Sequence, residues 1–307
     1  MKDLLSLSDL TPESIMELLD LAVQLKQELA GGAPRPLLKG QVLGMVFQKP
    51  SLRTRVSFDV AMLQLGGHAL YLSPNEIQLG KRESTGDVAR VLSRYVNGIM
   101  ARVFAHADVV DLARAATVPV INGLSDYSHP CQGLADLLTV YEKRGSLKGL
   151  KLTYLGDGNN VATSLMFGGA LTGMRVVVAT PPGYEPPADV VDCARSLGRL
   201  GGGSIEVTND PSAAARDADA LYTDVWASMG QEAEAAARKD VFPPYQLNAA
   251  RLAEANSDAL VLHCLPAHRG DEITDDVIDG LNSAVFDQAE NRLHAQKAVL
   301  VKLMAPH

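Results

Sequence analysis

Residues 149–179 read GLKLTYLGDGNNVATSLMFGGALTGMRVVVA. Residues 151–155 have the length and β-prone content of a strand, and Gly156-Asp157-Gly158-Asn159-Asn160 breaks it. A helix then runs to about Leu171, and Arg175 to Ala179 forms a second strand. Strand, turn, helix and strand in this order join parallel neighbours through a helix. Toward the C-terminus the alternation continues. Helices are expected over 187–197, 211–218 and 247–255, strands over 204–208, 220–223 and 259–263, and a helical tail over 291–303. Toward the N-terminus the same grammar recurs. VLGMVF at 42–47 is a strand, followed by a helix from about Arg53 to Leu65 and a strand from His68 to Leu72. A long polar stretch, 73–84, shows no period. Helices near 87–94, 109–116 and 130–143 then flank strands at 98–102 and 118–122. Thr11 and Pro12 suit the N-cap and first position of an opening helix, although Ser14 stands where a capping box wants Glu or Gln. Apolar strands alternating with helices throughout mean an α/β chain of two doubly wound parallel-sheet domains, joined between Gly145 and Leu150.

The 307 residues suffice for about two domains, with a core that needs no staple. The hydrophobic fraction is 47% and the charged fraction 21%, the composition of a folded globular chain. Lys plus Arg total 28 against 36 Asp plus Glu, a net charge of −8, which speaks against a nucleic-acid partner. An anionic ligand must therefore be held by a local cluster. No run approaches the ~18 apolar residues of a membrane span. Three cysteines, Cys131, Cys193 and Cys264, have neither disulfide nor zinc spacing and suit a reducing, cytoplasmic compartment.

In open α/β sheets ligands bind beyond the carboxyl ends of strands, so the strand-to-helix turns are where chemistry belongs. Ser51-Leu52-Arg53-Thr54-Arg55 gathers amides, two hydroxyls and two guanidiniums at a helix N-terminus. That suits phosphate; cations in a first turn oppose the helix dipole and are costly without an anion. The alternative is a polar cap with solvated arginines. Arg102 ends a buried strand, where a lone Arg is equally often solvated. His129 precedes Pro130 at a helix start; it reads either as a donor to a carbonyl oxygen, kept neutral by the helix end, or as a capping turn. Asp224-Val-Trp-Ala-Ser228-Met229-Gly230 could hold an amine and a carboxylate, although the bare pattern favours a surface loop. His263-Cys264-Leu265-Pro266 invites a nucleophilic cysteine, but neighbours at a strand end point apart, and a buried inert Cys is the simpler reading. Gly156-Asp-Gly158 resembles half a dinucleotide fingerprint. Val161 occupies the third glycine's place and no acid follows the next strand at Thr180, which argues against a nicotinamide enzyme.

Taken together, SLRTR at 51–55, Gln78, Arg102, HPCQ at 129–132, GDGNN at 156–160, DVWASMG at 224–230, HCLPAHRG at 263–270 and FDQAENR at 286–292 resemble the aspartate/ornithine carbamoyltransferase family over nearly the whole chain. HPCQ, SMG and HCLP favour its ornithine branch. The resemblance implies a carbamoyl-phosphate-binding domain, 1–148, with a C-terminal helix at 289–307 packing back on it. It implies an ornithine-binding domain, 149–288, with the active site in the crevice between the two. Carbamoyl phosphate is then bound by Ser51, the Leu52 amide, Arg53, Thr54, Arg102, His129, Gln132 and Arg292. Gln78 reaches a neighbouring subunit's site, which implies a homotrimer with shared sites. Asn160, Asp224, Ser228 and Met229 hold L-ornithine, and Cys264 and Leu265 stand at the reaction centre, also beside the carbamoyl group. Catalytic roles fall to Arg53, Arg102, His129, Asp224 and Cys264. The implied reaction gives L-citrulline and phosphate, with no metal or cofactor. Putrescine or an acylated ornithine is the alternative acceptor. A non-catalytic binding protein is disfavoured by the intact arginines and His129. The family commonly has Thr where Leu52 stands, which leaves only a backbone contact there.

Overall fold

The structure, a computed structural model, describes residues 1–227 and 234–305. The chain divides into two compact units, Met1–Ala135 together with the segment from Arg292 onward, and Asp136–Asn291. The first carries four parallel strands, β1 (Val42–Phe47), β2 (His68–Leu72), β3 (Gly98–Arg102) and β4 (Val120–Leu124), in the order β2-β1-β3-β4. Burial follows position. All of β3 and nearly all of β1 are buried in the middle, whereas the edge strand β2 is half-exposed. The helix Val285–Met304 runs into this unit. There Gln41 Nε2 donates to the Met304 carbonyl at 2.7 Å, and Lys297 Nζ to that of Leu25 at 3.4 Å.

The second unit carries β5 (Lys151–Leu155), β6 (Arg175–Ala179), β7 (Ser204–Thr208), β8 (Ala220–Thr223) and β9 (Leu260–His263), all parallel, in the order β7-β6-β5-β8-β9. The helix Asn160–Leu171 is buried at every position from Val161 to Leu171. An apolar helix without a polar face belongs inside a core, which is how its sequence reads. Its N-terminus is satisfied by Asn159, whose Oδ1 accepts from the amides of Val161 (2.9 Å) and Ala162 (3.1 Å).

Both sheets are doubly wound, and each reverses direction once. In the first unit the reversal lies between β1 and β3, where Phe47 pairs with Arg102. In the second it lies between β5 and β8, where Leu155 pairs with Thr223, itself level with His263 on β9. Loops leaving such a point diverge and open a crevice at the sheet's carboxyl edge.

Several local expectations change. The box at Thr11 closes through serine, with the Thr11 amide donating to Ser14 Oγ at 2.9 Å and the Ser14 amide to Thr11 Oγ1 at 3.2 Å. A short hydroxyl thus does the work of a longer acid. The polar stretch 73–84 holds one helical turn, Pro74–Ile77, closed by Glu76 accepting from the Ser73 amide at 2.8 Å. The helix expected from Val109 starts at His106, because Asp126 supplies a cap from elsewhere in the chain, accepting the His106 amide at 2.8 Å. The segment 247–255 keeps only the turn Ala249–Leu252.

Candidate active site

In the first unit, Ser51 has extended backbone and caps the helix Leu52–Gln64, its Oγ accepting the Thr54 amide at 3.3 Å. The first-turn amides therefore face out of the helix end beside the exits of β1 and β3. Thr54 is fully buried, and donors converge on its Oγ1: Arg292 Nη2 at 2.9 Å, Ser51 Oγ at 3.1 Å and Arg102 Nη1 at 3.4 Å. One hydroxyl thus gathers guanidiniums from positions 102 and 292. His129 is buried before the helix Pro130–Arg144, with its carbonyl accepting the amides of Gln132 and Gly133 at 3.0 Å. Burial pushes its pKa well below the ordinary 6.5, and the positive charges of Arg292, Arg102, Lys49 and Arg53 push it further. The ring is neutral at physiological pH. The expected cause was the helix end; burial and the four cations are the larger reasons. Gln132 is buried one turn into the same helix. Leu52 turns its side chain to solvent, 76% exposed, so its amide is what this position offers the site. Gln78 ends the turn Pro74–Ile77 in left-handed backbone, φ 46°, exposed, with Nε2 donating to the Asn75 carbonyl at 3.4 Å. Cys131 is inert, its thiol pushed up to about 12 by burial.

The second unit gathers the opposite charge. Asp224 is buried at the exit of β8; its Oδ2 accepts from Asn159 Nδ2 at 2.9 Å, and its Oδ1 from Cys264 Sγ at 3.0 Å and the Val225 amide at 2.8 Å. Burial pushes the Tyr154 hydroxyl well above its ordinary pKa, and the negative charges of Asp224 and Asp157 add to this. A field of this sign suits an ammonium group. The Cys264 thiol faces the carboxylate. His263 is committed elsewhere: its Nδ1 accepts the Leu265 amide at 2.9 Å, so its Nε2 donates to the buried Glu272 at 3.1 Å. Glu272 also accepts the His268 amide at 2.6 Å. Leu265, whose amide makes the bond to His263, has left-handed backbone, φ 56°. Asp224, His263 and Cys264 bring possible metal donors within 4.8 Å of one another, but a metal would have to break a buried histidine bond to use them.

The glycines of Gly156-Asp157-Gly158 have structural reasons of their own. Gly156 has φ 141°, and a Cβ on Gly158 would lie 2.3 Å from the Pro186 nitrogen, because the Gly158 amide donates to the Tyr184 carbonyl at 2.9 Å. The turn presents Asn159 and Asp157 at the exit of β5.

Of the residues singled out from the sequence, Ser51, Thr54, Arg102 and Arg292 meet directly, and Arg53 and His129 lie in the same field. Asp224 and Cys264 meet in the second unit. Asn160 is half-buried at the start of its helix, its carbonyl accepting Ser164 Oγ at 2.9 Å. Ser228 and Met229 lie outside the described residues. Asn159, the side chain that holds Asp224, has no role in the sequence reading; an Asn before an apolar helix signals an N-cap, and the bond from its Nδ2 to Asp224 shows only in the folded chain. Lys49 was missed as well, being a strand-end lysine like many solvated ones.

Residues 2–142 match the family model for the carbamoyl-P binding domain of aspartate/ornithine carbamoyltransferase, and residues 148–303 the model for its Asp/Orn binding domain. The chain is 59% identical over 303 residues to an ornithine carbamoyltransferase of Pyrococcus horikoshii, covering 99% of this chain and 96% of that one. An anabolic ornithine carbamoyltransferase of Pyrococcus furiosus is also 59% identical, with the same coverage. A solved ornithine carbamoyltransferase structure from Pyrococcus furiosus superposes with a TM-score of 0.97 at 58% identity, covering 100% of this chain and 98% of that one.

Proposed function

Because the chain belongs to the aspartate/ornithine carbamoyltransferase family, we propose that it transfers the carbamoyl group of carbamoyl phosphate to the side-chain amine of L-ornithine, giving L-citrulline and phosphate. The observation that carries this reading is the gathering of Arg102 and Arg292 on Thr54, with Arg53 and a neutral His129 in the same field. Crowded cations repel one another, and a dianionic leaving group relieves that repulsion.

In this mechanism Ser51, the Leu52 amide, Arg53, Arg102 and Arg292 hold the phosphoryl oxygens. Thr54, Arg102 and His129 donate to the carbamoyl oxygen, on which negative charge grows as the amine attacks. Removing one such donor typically costs about 3 kcal/mol of barrier. Gln132 holds the carbamoyl amide. Asp224 binds the ornithine ammonium, Asn160, Ser228 and Met229 hold its amino-acid end, and Cys264 and Leu265 line the reacting centre. The ammonium must lose a proton, which costs roughly 4 kcal/mol at pH ~7.4 for a Lys-like amine. The free amine attacks the carbamoyl carbon, the carbon–oxygen bond to phosphate breaks, and one proton is released overall. Cys264 donates its hydrogen to Asp224 and forms no covalent intermediate.

The reaction runs in the biosynthetic direction on this reading, supported by the relative called anabolic. A cytoplasmic setting is supported by three free cysteines, and no helix among the described residues is long and apolar enough to cross a membrane. We further propose a homotrimer in which Gln78 serves a neighbouring subunit's site. Exposed Leu52, Val56 and Leu63 form an apolar stripe on one face of the helix Leu52–Gln64, which supports an interface there.

The test is a ureido-product assay with carbamoyl phosphate and three acceptors: L-ornithine, putrescine and an Nα-acylated ornithine. Citrulline formation with L-ornithine strongly preferred is the expected result. Equal or faster turnover of either other amine would move the chain to a sister activity.

A further inference from the structure

Arg238 lies on the short helix Ala235–Val241, has no role assigned above, and is only 4% exposed. Its guanidinium makes three kinds of contact. Nη1 donates to the Trp226 carbonyl at 2.6 Å and pairs with Asp157 Oδ2 at 3.1 Å; Nε and Nη2 donate to Glu234 Oε2 at 3.1 and 3.0 Å; and the plane covers the rings of Tyr184 (4.9 Å) and Phe242 (5.6 Å). Asp157 belongs to the turn after β5, two residues before Asn159. Trp226 belongs to the exit of β8, two residues after Asp224. Between them, Asn159 holds Asp224 at 2.9 Å. The contacts therefore close a ring: Arg238 to Asp157, along the turn to Asn159, across to Asp224, along the chain to Trp226 and back to Arg238.

We propose that Arg238 is a positioning residue for the amino-acid substrate: by tying Asp157 to the Trp226 carbonyl it fixes the Asn159–Asp224 pair that receives the ornithine ammonium. The proposal rests on the reading of Asp224 as the ammonium's partner. Burial raises the Asp157 pKa and Arg238 opposes that rise, so removing the cation also leaves a second carboxyl group poorly compensated next to Asp224. The guanidinium is suited to this because it bonds three acceptors in one plane while stacking on aromatic faces, which an ammonium does not reproduce.

The experiment measures KM for L-ornithine and for carbamoyl phosphate separately in the full-length chain carrying Arg238→Met, Arg238→Lys, Asp157→Asn or the double change R238M/D157N. In R238M the ornithine KM is expected to rise at least about tenfold while the carbamoyl phosphate KM moves less than about twofold, with R238K in between. D157N is expected to raise the ornithine KM by less than R238M. The double variant should be no worse than R238M alone, because both changes break one link. Parallel loss of both substrates, an unchanged ornithine KM in folded R238M, or effects that multiply in the double variant would each overturn the proposal. If R238M does not fold, D157N decides: an ornithine KM equal to that of the unsubstituted chain rejects the ring. Asp224→Asn separates the two readings. An unchanged ornithine KM there sinks the role of Asp224, whereas a raised one alongside a silent R238M sinks only Arg238.

Discussion

Thr54 is the residue on which the cationic site turns. Replacing it with valine keeps the volume but removes the oxygen on which Arg102, Arg292 and Ser51 converge. Buried guanidiniums without that acceptor lose their mutual placement, so Thr54→Val should cut kcat by about a hundredfold or more while the protein stays folded. A steady-state assay with citrulline readout checks this, and retention of most of the activity would exclude Thr54 from the carbamoyl site. Cys264→Ala should raise the ornithine KM and lower the rate with carbamoyl phosphate binding spared; loss of carbamoyl phosphate binding alone would contradict its assignment. From the residues alone only the 51–55 cluster points to an anion, because cations in a first helical turn oppose the dipole without one. Arg102 and His129 read equally as a solvated arginine and a capping turn, and Asp224 as part of a surface loop, so their expected roles come from the family resemblance. Asn159 and Arg238 are not legible in the sequence, since each works through a partner that only the folded chain supplies.

At the scale of elements, parallel strands and their helices could be read from apolar runs and glycine breaks. What could not be read were ends fixed by distant or unusual caps: His106 held by Asp126, and the Thr11 turn closed by Ser14. The turn after β5 offers a sharp check. A methyl on Gly158 would meet the Pro186 nitrogen at 2.3 Å, against backbone that cannot yield like a side-chain tip. Gly158→Ala should therefore destabilise the protein by about 1–3 kcal/mol and disturb the ornithine KM more than that for carbamoyl phosphate. Urea unfolding and substrate kinetics measure the two parts. A neutral outcome in both would mean that the 184–186 segment moves away at little cost.

For the whole molecule, His129 links stability to pH. Its folded pKa is depressed, so below about pH 6.5 the unfolded chain binds a proton that the folded chain refuses. Unfolding is then favoured as pH falls, and the stability present above that range is lost by about 1.4 kcal/mol per unit over the window between the two pKa values. Denaturant titrations at pH 7.5 and 5.5 should show this loss, and His129→Asn should remove this site's share of it. An identical pH slope in the variant would argue against a neutral buried ring. The proposed assembly has its own check. Leu63→Glu puts a charge on the exposed apolar stripe, and sedimentation should find the trimer dissociated with activity reduced. A wild-type chain that sediments as a fully active monomer would end the shared-site reading.

The chain has a single tryptophan, and that indole is Trp226, buried against Phe242 with ring centroids 5.8 Å apart and its carbonyl gripped by Arg238. The intrinsic emission of the protein is consequently a private optical signal from the exit of β8. A plain fluorimeter, with no dye attached, can follow events at the amino-acid substrate's side of the chemistry without interference from any other indole.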